Sequence, residues 1–201
     1  MTTTSQAIRA YAEALPEGAT LSAKELLHLG ERAAVDQALS RLVRRRELLR
    51  VRRGLFALSV KTRFGERAPS ASIVVESIAK TTGERVSISG AAAANLLGLS
   101  TQNPSRQVFW TSGPSRHLKL GAQKVELRHV PNWQLRAPNS KAGHAFRALA
   151  YFGQSEAREA MNKIKLRLNE EEQRELFGLR ANAPTWMAKE LSALAVSTNA
   201  S

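Results

Sequence analysis

Cysteine is absent from the 201-residue chain. That excludes disulfides and thiolate metal sites, and it fits a reducing cytosol. Aspartate occurs once, at Asp36, whereas two-metal nuclease chemistry draws on several clustered carboxylates. The four histidines, His28, His117, His129 and His144, are scattered, and none has the close His or carboxylate partner of a zinc site. Neither a Gly-x-Ser-x-Gly elbow nor a phosphate-binding Gly-Lys-Ser/Thr loop occurs. Glu170-Glu171-Glu172 follows Asn169 and reads as a helix start, where acidic side chains favour the positive end of the helix dipole. Neither catalysis, a cofactor nor a metal is therefore expected. No stretch approaches the roughly 20 apolar residues of a membrane-spanning helix. The first residues, MTTTSQAIRAYAEALPEG, hold no apolar run followed by a cleavage site, so no signal peptide is expected and the location predicted is cytoplasmic.

Acidic residues are scarce altogether: 17 Asp and Glu stand against 30 Lys and Arg, for a net charge of +13 and a pI near 11.0. So strong a bias points to a polyanionic partner, most often nucleic acid. The charge is also clustered. Ten cations lie between Arg41 and Arg67, opposed only by Glu47 and Glu66. A hydrophobic fraction of 43% is ordinary for a folded protein, so the basic chain can still bury a core.

The cluster sits in an ordered series of local signals. Ile8, Tyr11, Ala12 and Leu15 give residues 5–15 one apolar helical face, ended by Pro16, Glu17 and Gly18. Ser22 and Glu25 have the spacing of a capping box, which predicts a second helix from about Ala23 to His28, closed by Gly30. A third helix is expected from Glu31 to Arg46. Val35, Ala38, Leu39 and Leu42 fall on its inner face, and Ala33, Gln37, Ser40, Arg41 and Arg44 on its outer face. Leu49 to Arg52 alternates apolar and basic residues, Arg53-Gly54 reads as a turn, and Leu55 to Leu58 returns. Helix, turn, polar-faced helix and basic hairpin, in that order, predict a winged helix-turn-helix over residues 1–60. In such a module the third helix enters the major groove and the wing lies along flanking backbone. Gln37, Ser40, Arg41 and Arg44 are then candidates for base contacts, and Lys24, Arg45, Arg46, Arg50, Arg52 and Arg53 for phosphates. Two copies on an inverted repeat are expected.

Residues 61–70 form a charged, Pro-containing stretch read as a connector, so a second domain is expected over residues 68–196. It reads as α+β, with helices over 69–80, 90–97, 141–152, 155–168 and 184–196. Strands are expected over 85–89, 107–112, 116–120 and 124–130, and a tail over 197–201. Val125, Leu127 and His129 are expected to point one way along the last strand. An alternative function is a basic RNA- or protein-binding module. It would draw on Arg106, Arg116, Lys119, Lys124, Arg128, Arg136, Lys141, Arg147, Lys163, Lys165 and Arg167, provided that they converge on one face.

Three blocks carry a family resemblance: SQAIRAYAEALPEGATLSAKEL, RAAVDQALSRLVRRRELLRVRRGLFAL and RVSISGAAAANLLGLSTQNPSRQVFWTSGPSRHLKLGAQKVELRH. Over roughly residues 5–150 the chain resembles the antitoxins of AbiE-type (type IV) toxin–antitoxin systems and their AbiEi-like relatives. The resemblance implies an N-terminal winged helix that represses its own operon and a C-terminal domain that neutralises the toxin. It also implies functional antagonism of a nucleotidyltransferase-like toxin without a stable complex between the two proteins.

Overall fold

The computed structural model describes residues 3–63, 65–102 and 106–198 and shows a mixed α+β protein. The chain folds into two compact units, Met1–Glu84 with Arg116–Leu127, and Arg85–Ser115 with Arg128–Ser201.

In the first unit the N-terminal helix α1 (Thr4–Glu13) is closed at its start by a capping box between Thr3 and Gln6. Strand β1 (Thr20–Ser22) follows, then a 3-10 turn (Leu27–Leu29), helix α2 (Arg32–Arg44), and the hairpin of β2 (Leu48–Arg52) and β3 (Leu55–Leu58). The three strands form one antiparallel sheet in the order β1-β3-β2. Ile8 and Ala12 of α1, Leu21, Leu26, the inner face of α2, Leu48 and Phe56 make one buried cluster. This is the arrangement of a winged helix-turn-helix, with the core setting α2 against the sheet.

Two local expectations are corrected here. The capping box at Ser22 and Glu25 does form, with both hydrogen bonds present, yet the α-helix expected over 23–28 is only a turn followed by the 3-10 segment. Thr20–Ser22 is taken up by pairing with β3, and the few residues left before Gly30 are too short a run to repay helix nucleation. The stretch read as a connector is itself a hairpin, β4 (Val60–Thr62) with β5 (Gly65–Arg67), in which Lys61 faces Glu66 across the strands. Helix α3 (Ala71–Thr82) ends at Gly83, which takes the left-handed conformation (φ 72°). Its Ser77 hydroxyl accepts from the Thr20 amide at 2.9 Å, tying α3 to β1.

In the second unit β6 (Val86–Ile88) pairs antiparallel with β7 (Gln107–Thr111), and α4 (Gly90–Leu96) packs on α5 (Lys141–Lys165). A Cβ on Gly90 would lie 2.6 Å from the Arg147 carbonyl oxygen, so α4 approaches α5 as closely as its small residues allow. Helix α5 breaks at Gly153 (φ 75°, ψ −178°), which yields the two helices expected from the sequence. Helix α6 (Glu170–Gly178) opens on a capping box between Asn169 and Glu172. Helix α7 (Thr185–Thr198) buries Met187 and Leu191 and reaches past the expected start of the tail, of which residues 199–201 lie outside the described residues.

Arg147 overturns its reading as surface charge: it is fully buried. Its guanidinium donates to the Arg136 carbonyl at 3.0 Å and the Pro138 carbonyl at 2.8 Å, and burial pulls its pKa down to about 10. It holds a loop rather than a ligand, so the cations of the second unit lose one member from any shared face. Burial, and then the nearby Arg147 charge, also hold the His144 imidazole below its usual range. His129 is exposed instead of following Val125 and Leu127 inward. Its ring Nδ1 lies 3.0 Å from the Gly113 carbonyl, a polar partner that draws the ring away from the core.

Candidate nucleic-acid interface

Helix α2 separates its two faces cleanly. Val35, Ala38, Leu39 and Leu42 are 0–2% exposed. At about 100° per residue, Gln37, Ser40, Arg41 and Arg44 lie directly opposite, along a single line on the solvent side; Gln37, Arg41 and Arg44 are exposed and Ser40 half-buried. The Arg41 guanidinium donates to Gln37 Oε1 at 3.2 Å, so these two candidate base-reading side chains are already aligned one turn apart. The Ser40 hydroxyl donates to the Asp36 carbonyl at 2.9 Å. Asp36 itself is paired with Arg32 at 2.9 Å, which offsets the negative charge beside this face.

The end of α2 is built with unusual chemistry. The Glu47 amide donates to the Leu42 carbonyl and the Arg46 amide to the Val43 carbonyl, both at 3.0 Å. This pair of bonds is a Schellman motif, whose left-handed position glycine normally fills. Here that position is Arg46, with φ 63°. A buried serine secures it: Ser59 Oγ donates to the Arg46 carbonyl at 2.6 Å, and the Ser59 amide to the Glu47 carbonyl at 3.0 Å. Arg9 adds a second tether, bridging Glu13 at 3.0 Å and Glu47 at 3.2 Å. Its hydrogen bond and charge pairing with Glu13, then the charge of Glu47, raise its pKa. A cation thus occupies a strained position immediately beyond the end of α2. Arg46→Gly should relieve the strain and raise stability by about 0.5–1 kcal/mol. Thermal melting reads the effect, and a less stable glycine variant would refute the strain assignment.

The wing follows at once. Arg50 pairs with Phe56 and Arg52 with Leu55, so Val51 is an extra residue in β2 and the ladder bulges there. Val51 is buried, whereas Arg50, Arg52 and Arg53 are exposed. A bulge of this kind increases strand twist and re-aims side chains. The Arg50 guanidinium lies 5.5 Å from the centroid of its cross-strand neighbour Phe56, a cation–π contact that fixes its head on the wing. Gly54 at the tip takes φ 72°.

Nine of the ten candidate residues therefore fall on one continuous stretch: Gln37, Ser40, Arg41, Arg44, Arg45 and Arg46 on and just beyond α2, and Arg50, Arg52 and Arg53 on the wing. Lys24, the tenth, is exposed on the turn before the 3-10 segment, outside that stretch of sequence. Among the described residues no ion pair involves Arg41, Arg44, Arg45, Arg46, Arg50, Arg52 or Arg53. By contrast, Arg9, Arg32, Arg67 and Arg116 of the same unit are all paired.

One element that the sequence does not bring to this site does belong beside it. The hairpin of β8 (Arg116–Leu120) and β9 (Gln123–His129) places β8 alongside β2, with Cα atoms within 8 Å. Its alternation of apolar and charged residues is legible in the sequence, but the strand it lies beside is some 70 residues away and the pattern does not reveal it.

Residues 7–176 match the model of a family described as a family of unknown function (DUF6088). No curated protein matches the chain. Among solved structures, the chain is similar to the crystal structure of the RV2827C protein from Mycobacterium tuberculosis. The TM-score is 0.51 at 17% identity, covering 95% of this chain and 75% of that one, a likeness of fold alone. Among the described residues no helix is long and apolar enough to cross a membrane, and no three His, Asp or Glu side chains gather as metal ligands would.

Proposed function

We propose that this chain, which belongs to the DUF6088 family of unknown function, is a sequence-specific duplex-DNA-binding protein that represses its own operon. The observation that carries this reading is the row of exposed arginines, without ion pairs among the described residues, along the outer face of α2, its capped end and the wing. An uncompensated cation on the surface of a folded protein repels its neighbours, and a polyanion relieves that repulsion. An α-helix is about 10–12 Å across and the major groove about 12 Å wide, so the outer face of α2 meets base edges through Gln37, Ser40, Arg41 and Arg44. Lys24, Arg45, Arg46, Arg50, Arg52 and Arg53 then meet phosphates, which set register and most of the affinity.

The resemblance to AbiE-type antitoxins supports a wider role. The repressor would be the antitoxin of a two-gene system, acting in the cytoplasm on two halves of an inverted repeat. It would oppose a nucleotidyltransferase-like toxin without holding it in a stable complex. Such a role needs neither catalysis nor a cofactor. With about five phosphates contacted, log K should fall with log salt at a slope of about −4 to −5. A mobility-shift titration on the DNA upstream of its own gene measures this, and the absence of a shift, or a flat salt response, would overturn the reading.

A further inference from the structure

We propose that the β8–β9 hairpin is a second phosphate-binding element beside the wing, with Lys119 and Lys124 as its contacts. The inference rests on the DNA-binding reading above and deepens it by extending the footprint to a segment remote in sequence.

Lys119 and Lys124 are direct partners in the antiparallel register of β8 and β9. Such a pair places the two Cβ atoms about 4.5–5.5 Å apart, and like charges so placed destabilise the hairpin. The strands cannot turn the lysines elsewhere, because Leu118, Leu120, Val125 and Leu127 are buried on the inner side. A one-residue slip would expose all four leucine and valine side chains. Both lysines are exposed, and among the described residues neither forms an ion pair. The next outward pair, His117 opposite Glu126, lacks this conflict, so the repulsion is local to the turn end of the hairpin.

Folding gains nothing from two ammonium groups facing each other on the solvent side of a sheet. Binding gains if a polyanion lies there. Strand β8 runs beside β2, the strand that carries Arg50 and Arg52, and residues 116–127 share one compact unit with the winged helix. A duplex held by the wing carries one negative charge per about 1.7 Å of its axis, so long lysine side chains on the neighbouring hairpin find phosphates beyond those the wing contacts. Stability and binding then respond to these residues with opposite signs, which a purely solubilising role would not produce.

The test uses the full chain with duplex from upstream of its own gene and a non-cognate duplex of equal length. Lys119→Gln with Lys124→Gln should melt no lower than the unaltered protein. It should bind both duplexes more weakly in parallel, with the salt slope reduced by about 1.8. Lys124→Glu alone replaces repulsion by attraction. It should melt higher and bind at least as weakly as the double variant, which keeps the test open if glutamine perturbs folding. Lys119→Arg with Lys124→Arg should restore affinity and slope. If the folded glutamine variant keeps both affinity and slope while Arg52→Gln with Arg53→Gln loses them, the hairpin assignment fails and the wing reading stands. If the unaltered protein shifts neither duplex, both fail.

Discussion

Alanine at both Arg41 and Arg44 is expected to weaken binding to the cognate duplex by about 100-fold or more, with the fold left intact. Each guanidinium that makes a bidentate contact contributes about 1–3 kcal/mol of recognition, and the two sit one turn apart on the line opposite the buried face of α2. The folded state loses little. Both side chains are exposed, alanine is the best helix former, and the bond from Arg41 to Gln37 is a surface contact. The loss of positive charge near the helix C-terminus costs about 0.3–1 kcal/mol for Arg44. The pattern of the loss separates two roles. If these arginines read bases, discrimination between cognate and non-cognate duplex collapses; if they hold phosphates, both affinities fall together and the slope drops by about 1.8. Affinity within about twofold of the unaltered protein, for a variant that melts normally, would remove α2 from the interface.

How far the sequence discloses this site depends on the range of the interactions involved. The α2–wing block is legible because each signal is local: an apolar stripe of Val35, Ala38, Leu39 and Leu42, arginines opposite it, and glycine at the turn. The 3-10 segment and β1 are not legible, since what decides them is the pairing of Thr20–Ser22 with β3, more than thirty residues away. The β4–β5 hairpin is hidden for a different reason. Its residues are almost all exposed, so no apolar alternation marks it, and the facing of Lys61 and Glu66 is visible only in register. The hairpin beside the wing shows both limits together: its inward and outward faces can be read from alternation, but its neighbour β2 cannot. The left-handed Arg46 is likewise unreadable, because the sequence shows no glycine where the motif asks for one and Ser59 supplies the compensating bonds from outside the helix.

Arg147 misleads in the opposite direction. Charge patterning places it on the surface, yet it is buried, and the loop whose carbonyls it holds passes against Gly143 one turn earlier on α5. Gly143→Ala is accordingly expected to destabilise the second unit by about 3–5 kcal/mol, at the severe end for a single methyl group. Propensity alone predicts the reverse, because alanine is favoured over glycine inside a helix by about 1 kcal/mol. Geometry decides the sign. A Cβ at this position would lie 1.8 Å from the Ala137 carbonyl oxygen and 2.8 Å from the Ala137 carbonyl carbon, and backbone atoms cannot swing aside as the end of a side chain can. The loop could yield only by moving as a whole. Ala137 already takes a left-handed conformation (φ 45°), and the carbonyls on either side of it are held by Arg147 at 3.0 Å and 2.8 Å. Withdrawal would break hydrogen bonds to a charged donor, each contributing about 1.5–3 kcal/mol, and leave a buried guanidinium without partners. Arg147→Met removes the charge but strands the two carbonyls, so it should destabilise as well. Combined with Gly143→Ala it should cost less than the sum of the two, since both act on the same three-residue loop. Denaturant unfolding followed in the second unit measures all three variants. A Gly143→Ala protein within about 1 kcal/mol of the unaltered one, or strict additivity with Arg147→Met, would show that the loop is not clamped as described.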